Sequence, residues 1–192
     1  MPNIVYFDLE TQRSFNDVGG SSNLAKMGVS VACSYSTETG KYELYGEDEL
    51  DRLVSLLCKA DQVVGYNHLH FDYGVLQGYT VLDLAAQTVN LDMMVDLQGH
   101  TGRRLGLDKV ASATLGTGKT AVGTDALKWW QQYKATGDPG MLVKIAEYCA
   151  YDVKVTKCVH EYGVEHGHIK YTDGSGEQPV PVRWKTAAPE AV

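Results

Sequence analysis

The first half of the chain alternates between two hydrophobic periods. A mainly β-branched and aromatic run over Ile4–Thr11 predicts a strand that is buried on both faces. Two further segments, Val29–Ser36 and Lys41–Tyr45, flank the turn residues 37–40 and predict a hairpin. Residues 47–60 then carry leucine and valine at helical spacing, which predicts an amphipathic helix.

The second half of the chain alternates strands with helices. Residues 62–67 predict a short buried strand, a helix is expected to start near Phe71, and residues 91–97 predict another strand. Two longer amphipathic segments predict helices over residues 105–115 and 141–162. Strands that come first and then alternate with helices indicate an α/β domain with a mixed sheet.

The C-terminal part of the chain differs from the rest. Two short apolar stretches in residues 169–184 surround a glycine-rich turn at 172–176 and predict a hairpin, and residues 185–192 are expected to be frayed. A length of 192 residues is typical of one domain with at most a small appendage. We therefore predict one domain over residues 1–168, with a hairpin and tail over residues 169–192 appended to it.

Composition narrows the class of protein. Hydrophobic residues make up 44% and charged residues 21% of the chain, which excludes a mainly disordered or collagen-like protein. No apolar run approaches the roughly 20 residues that cross a bilayer, and the first eight residues lack the features of a secretory signal. The four cysteines have no Cys-x-x-Cys spacing, so we expect reduced thiols in a cytoplasmic protein. The net charge of −7 counts against binding nucleic acid, since such proteins are usually basic.

Two acids interrupt the first apolar strand. Asp8 and Glu10 are two residues apart, so their side chains point to the same face of the sheet. Two like charges on a half-buried surface repel each other and lose hydration, which a fold tolerates when a cation binds between them. Carboxylate oxygens favour Mg²⁺ or Mn²⁺. The alternative is that both acids simply lie at the exposed end of the strand.

Two more polar clusters follow along the chain. Asp72 comes just after the second buried strand, where it either joins a site or serves as a helix N-cap. Tyr148 and Asp152 are four residues apart in a predicted helix and therefore lie on one face. The alternative for this pair is a surface aspartate beside a half-buried tyrosine.

Taken in order, the three clusters resemble the DEDD-type 3′–5′ exonucleases of the tyrosine subtype, which have a ribonuclease H-like fold. Asp8 and Glu10 match the Asp-x-Glu of the first motif. The second motif, in the form found in the proofreading domains of family B DNA polymerases, is Gly-Tyr-Asn-x-x-x-Phe-Asp, and it is matched by Gly65, Tyr66, Asn67, Phe71 and Asp72. Tyr148 and Asp152 match the third motif, Tyr-x-x-x-Asp. The resemblance covers about residues 3–165.

The resemblance implies a ribonuclease H-like α/β fold and an exonuclease acting on the single-stranded 3′ end of DNA or RNA, with no role at a membrane. It implies two Mg²⁺ or Mn²⁺ ions, held by Asp8, Glu10, Asp72 and Asp152, and a water molecule positioned by Tyr148. The implied contacts with the terminal nucleotides are Leu9, Thr11, Asn67 and Phe71. Two bound ions would offset the four acids, so the net charge is a weaker objection. Candidate phosphate contacts, for each of which plain surface charge is the favoured explanation, are Arg103, Arg104, Lys109 and Lys119.

Several other interpretations stay open. A catalytically inactive nucleic-acid-binding module could use the same fold. Residues 113–120 fit a loose Walker A pattern, but a phosphate-binding loop follows a strand, and residues 105–115 are predicted helical. The pairs His68/His70 and His166/His168 suggest zinc, although surface positions are favoured. Trp129, Trp130 and Tyr133 form either a core stripe, which we favour, or a platform for stacking bases.

Overall fold

The computed structural model describes residues 2–116 and 123–185. Their centre is a five-stranded sheet of order β3-β2-β1-β4-β5, in which β2 is antiparallel to β1 and β3, and β4 and β5 run parallel to β1. Its strands are β1 (Ile4–Thr11), β2 (Val29–Ser36), β3 (Lys41–Tyr45), β4 (Gln62–Gly65) and β5 (Asn90–Asp92). A second sheet is the antiparallel pair β6 (His168–Asp173) and β7 (Gly176–Pro181). The predicted α/β class with a mixed sheet is confirmed.

Helices cover both faces of the central sheet. Those in the described residues are α1 (Phe15–Val18), α2 (Leu50–Lys59), α3 (Asp72–Leu76), α4 (Leu84–Gln87), α5 (Met93–Thr101), α6 (Leu107–Leu115), α7 (Gly123–Thr136) and α8 (Pro139–His166). Short 3₁₀ turns span Ser21–Lys26 and Glu47–Glu49, so the helix predicted from residue 47 becomes regular only at Leu50. Among the described residues, no helix is both long and apolar enough to cross a membrane.

Strand β1 is central and divides the core in two. Ile4 and Tyr6 pack on one face with α5, α6, α8 and the C-terminal hairpin. Val5, Phe7 and Leu9 pack on the other face with α2 and α3. Because side chains alternate along a strand, Asp8 and Glu10 continue the face of Ile4 and Tyr6, the one that α8 covers. The prediction that this strand is buried on both faces is confirmed.

The strand predicted over residues 91–97 is confirmed for residues 91–92 and wrong beyond them. Strand β5 ends at Asp92, and helix α5 begins at the next residue. The Asp92 carboxylate accepts hydrogen bonds from the backbone N–H groups of Met94 (3.1 Å) and Val95 (3.3 Å). This N-cap satisfies the free donors of a helix start, so it outweighs the strand preference of the apolar run.

The C-terminal hairpin packs against α6 and α8. The Thr114 hydroxyl of α6 donates to the Lys170 carbonyl (3.0 Å) and accepts from the Lys170 N–H (2.9 Å). Trp184 lies directly on Gly163 of α8, where any larger side chain would collide with the indole ring. The hairpin itself is confirmed, whereas the domain boundary after residue 168 stays a prediction. The tail residues 186–192 lie outside the described residues.

Candidate active site

The end of β1 carries two acids beyond its parallel neighbour. Strand β4 pairs with β1 only as far as Tyr6, so Asp8 and Glu10 extend past it. The register with β2 shifts between Glu10 and Thr11, and the hydroxyl of Ser30 donates to the carbonyl of Glu10 (3.0 Å). Such a bulge bends and twists a strand, and it occurs often beside active sites.

Helix α8 brings a third acid to the end of β1. One carboxylate oxygen each of Asp8, Glu10 and Asp152 lies within 4.8 Å of the others. The thiol of Cys149, one turn before Asp152, lies 3.3 Å from the carbonyl oxygen and 3.8 Å from a carboxylate oxygen of Asp8. Oxygen atoms this close can ligate one Mg²⁺ or Ca²⁺-sized ion, since ligand distances are about 2.0–2.6 Å.

The fourth acid comes from the segment after β4. Asp72 is the first residue of α3, whose N-cap position is Phe71, so the alternative that Asp72 is the N-cap is wrong. Asp72 is buried, since only 3% of the residue is exposed to solvent. Among the described residues, its Oδ1 atom has no hydrogen-bond partner. A buried carboxylate oxygen without a donor is costly, and a divalent cation bound there would satisfy it.

The four carboxyl groups resist ionisation. Burial, followed by the charges of neighbouring acids, raises the pKa of Asp8 and of Glu10 well above its ordinary range. Burial likewise raises the pKa of Asp72 to about 7 and that of Asp152 to about 6. Positive charge among them would favour the ionised forms, so the donor set fits divalent cations.

A cavity of about 340 Å³ opens over the acids. Asp8, Glu10, Asp72 and Asp152 all line it. The other lining residues are mainly apolar or aromatic, and include Leu9, Phe15, Met27, Tyr66, Phe71 and Leu127. A cavity lined both by acids and by apolar or aromatic side chains suits a ligand with both a charged group and a flat ring.

The predicted substrate contacts divide into two groups. Leu9, Thr11 and Phe71 line the cavity. Asn67 is not among its lining residues. Its backbone has a left-handed φ of 67°, and its side-chain oxygen accepts a hydrogen bond from Arg104 (3.0 Å).

Tyr148 lies between the acids and a tryptophan. Its hydroxyl hydrogen-bonds with Asp152, and its ring meets Trp129 edge to face at 6.3 Å. Burial and the nearby acids raise the pKa of Tyr148 above its ordinary value. The phenol therefore stays protonated near neutral pH and can donate a hydrogen bond. Of the alternative, the half-buried tyrosine is right, but Asp152 is itself partly buried and groups with Asp8 and Glu10.

The surface position favoured for His68 is wrong. His68 is fully buried, its Nε2 lies 3.1 Å from Asn90 Oδ1, and its Nδ1 lies 3.7 Å from an Asp92 carboxylate oxygen. His70 is exposed, as predicted. Within the described residues, Asp8, Glu10 and Asp152 are the grouping that could hold a metal ion, so neither histidine pair forms such a group.

The basic residues predicted as candidate phosphate contacts lie in different surroundings. Arg103 lies 3.8 Å from Asp173, and the Lys109 ammonium lies 5.7 Å from the centre of the Tyr171 ring. Lys119 and half of the Walker-like stretch, residues 117–120, lie outside the described residues. Helix α6 runs to Leu115, so a helix precedes that stretch where a phosphate-binding loop needs a strand.

Sequence reasoning missed several residues around the site. Asp92 supports the loop after β4, Cys149 contacts Asp8, and Phe15 and Leu127 line the cavity. For Asp92, its place just before a helix was a usable cap signal. Phe15 and Leu127 carry no local signal, since only the packing of α1 and α7 brings them to the cavity.

Comparisons with known proteins agree with this geometry. A family model of the RNase H superfamily matches residues 5–163. Among solved structures, the family B DNA polymerase from the hyperthermophilic archaeon Pyrobaculum calidifontis is similar, with a TM-score of 0.61 and 19% sequence identity. The match covers 85% of this chain but only 24% of the polymerase, so at this identity it establishes the fold alone. A search of curated proteins found no match.

Proposed function

Because the chain belongs to the RNase H superfamily, we propose that it is a metal-dependent 3′–5′ exonuclease acting on single-stranded nucleic acid. The observation that carries the proposal is the convergence of four acids on one cavity. They come from β1, α3 and α8, three elements far apart in the chain. The order of the motifs and the tyrosine beside Asp152 support this activity over other reactions of the superfamily.

The four acids provide two overlapping metal sites. Asp8, Glu10 and Asp152 would hold one divalent ion, and Asp8 and Asp72 would hold the second, with Mg²⁺ or Mn²⁺ the expected metals. Two such ions, when bound, generate the nucleophile and stabilise charge on the attacking and leaving oxygens of a phosphodiester.

The chain's other residues orient the substrate and water. The hydroxyl of Tyr148 donates its proton to Asp152, and its oxygen can accept a hydrogen bond from the attacking water and so position it. A phenol that holds its proton is a poor general base, so its role is one of orientation. The ring of Phe71 packs against the terminal nucleotide in the cavity. Asn67, whose side chain is held by Arg104, offers a hydrogen bond beside it.

A nuclease assay tests the proposal. Labelled single-stranded DNA, duplex DNA and RNA, each with a free or a blocked 3′ end, are incubated with Mg²⁺, Mn²⁺ or EDTA. We expect the protein to shorten single strands from a free 3′ end when a divalent metal is present, which appears as a ladder of products. Binding without any cleavage would instead assign a catalytically inactive nucleic-acid-binding module.

Variants of the acids sharpen the assay. Asp8→Ala and Asp152→Ala should each abolish cleavage, because they remove metal ligands, while the fold remains since like-charge repulsion is relieved. Asp51→Ala, which removes an exposed acid of α2, is the matched control and should cleave at the native rate. Native activity in either site variant would contradict the site assignment.

A further inference from the structure

Helix α7 presents a mixed aromatic and basic stripe that starts at the cavity. Leu127 lines the cavity together with Asp8, Glu10 and Asp152. Trp130 and Lys134 follow at i+3 and i+7, so they lie on the same side of the helix, one and two turns further on. The stripe therefore leads from the acids outward along the surface.

Trp130 is both anchored and accessible. Part of its ring system packs against the small cluster of Val31, Ala126 and Ile145, which holds the indole in place. The residue is only partly buried, so the remainder is open to a ligand. Tyr133 contacts it at a centroid distance of 5.4 Å, which makes the aromatic surface larger than a single ring.

Lys134 adds positive charge to this aromatic surface. It is exposed, and its ammonium lies 5.9 Å from the centre of the Trp130 ring. An aromatic face beside a flexible cation is the combination that binds single-stranded nucleic acid without sequence preference, because bases stack and phosphates pair with the cation. Because the chain has a net charge of −7, the local positive charge of Lys134 matters more for attracting an anionic ligand than it would on a basic protein.

From Leu127 to Lys134 the helix rises about 10 Å, at about 1.5 Å per residue. That span corresponds to about three stacked nucleotides at about 3.4 Å each. Because Leu127 belongs both to the stripe and to the cavity lining, one strand can run from the cavity onto the stripe. A duplex cannot present its bases to Trp130 without unpairing.

We propose that Trp130 and Lys134 of helix α7 form a binding platform for the single strand, two to three nucleotides from the end held in the cavity. The proposal rests on the proposed nuclease function for the direction of the strand. Bases stack on Trp130, and Lys134 pairs with a phosphate. The platform raises the affinity for longer strands, and a dinucleotide is too short to reach it.

Binding without catalysis is the first test. Fluorescence anisotropy in EDTA follows a fluorescein-labelled ten-nucleotide oligothymidylate as wild type or variant is added. Trp130→Ala should weaken binding at least fivefold, and Trp130→Phe, which keeps a ring, should weaken it less than twofold. Tyr42→Ala, which removes an aromatic residue 43% exposed on the edge strand β3, is the matched control and should bind like wild type.

Lys134→Ala is a second, exposed substitution that leaves the core untouched. The slope of log affinity against log salt concentration should become shallower by about 0.7, as expected for one lost phosphate contact on a single strand. If Trp130→Ala proves unfolded by circular dichroism, this slope decides the matter. An unchanged slope for Lys134→Ala would then overturn the platform.

The length dependence of cleavage is the last test. In Mn²⁺, the ratio of kcat/KM for the ten-nucleotide substrate to that for a dinucleotide should fall at least fivefold in Trp130→Ala. A folded Trp130→Ala protein with wild-type affinity and a wild-type ratio would overturn the proposal. If wild type cleaves nothing, the nuclease function fails, while the anisotropy and salt measurements still judge the platform.

Discussion

At the scale of residues, Tyr148 can take part in the proposed hydrolysis without gaining or losing a proton. Its hydroxyl hydrogen-bonds with Asp152 and its ring packs edge to face against Trp129, so two contacts fix its position. Burial and the adjacent acids favour the neutral phenol. Its contribution to a hydrolytic reaction is therefore one of position, which a single substitution can isolate.

Tyr148→Phe keeps the ring contact with Trp129 and removes the hydroxyl. We expect kcat to fall by about 10- to 100-fold, the effect of a misplaced reactant, with metal affinity retained. Steady-state kinetics and Mn²⁺ titration by calorimetry measure the two quantities. Loss of metal binding would show that the hydroxyl supports the ligands instead of the water, and an unchanged kcat would remove Tyr148 from the reaction.

At the scale of elements, the buried carboxylate of Asp92 connects strand β5, helix α5 and the loop between β4 and α3. Asp92 ends β5 and caps α5, and it also accepts hydrogen bonds from the backbone N–H groups of Asn67 (2.8 Å) and Leu69 (3.0 Å). These two residues belong to the loop between β4 and α3, which delivers Asp72 to the site. Asparagine tolerates the left-handed backbone of Asn67 better than most residues other than glycine, and the hydrogen bond to Asp92 holds it in place.

Asp92→Ala should destabilise the protein by about 2–4 kcal/mol, because it leaves several backbone donors without their acceptor at a buried position. Asp83, the exposed N-cap of α4, bonds to Ala86 N alone, so Asp83→Ala is the control and should cost about 1 kcal/mol or less. Urea unfolding gives both values. Equal costs for the two variants would contradict the role given to Asp92.

At the scale of the whole molecule, the fold gathers acids that repel one another. In the absence of cations the native state binds protons more tightly than the unfolded chain at these groups, so their ionisation as pH rises lowers the free energy of unfolding. Two buried histidines act in the opposite sense. Burial lowers the pKa of His160 to about 4 and also lowers that of His68, so both oppose folding as the pH falls below about 6.5.

The comparison of wild type with Asp72→Asn separates these effects, because the histidines contribute equally to both proteins. The pKa of Asp72 rises from 3.8 to about 7, so in EDTA the variant should be the more stable protein at pH 8 by a few kcal/mol. The difference should shrink as the pH falls from about 7 toward 4. Urea unfolding at several pH values measures it. A difference in the free energy of unfolding that does not change with pH would mean that folding does not shift the pKa of the Asp72 carboxyl.

The sequence by itself determined the elements whose pattern is local. The bounds of β1, β2 and β3 follow from their local sequence pattern and the turn residues 37–40, and the order of the three acidic motifs pointed to the RNase H superfamily. Alternation along β1 also placed Asp8 and Glu10 on one face, since the period of a strand is a property of the backbone.

Only the tertiary structure decided which side chains meet across elements. The apolar pattern of residues 91–97 was compatible with a strand until Asp92 capped α5, and His68 is buried because β5 packs beside its loop. Leu127 reaches the cavity because α7 crosses the end of β1. Burial and contact depend on residues distant in the chain, and a local period carries no information about them.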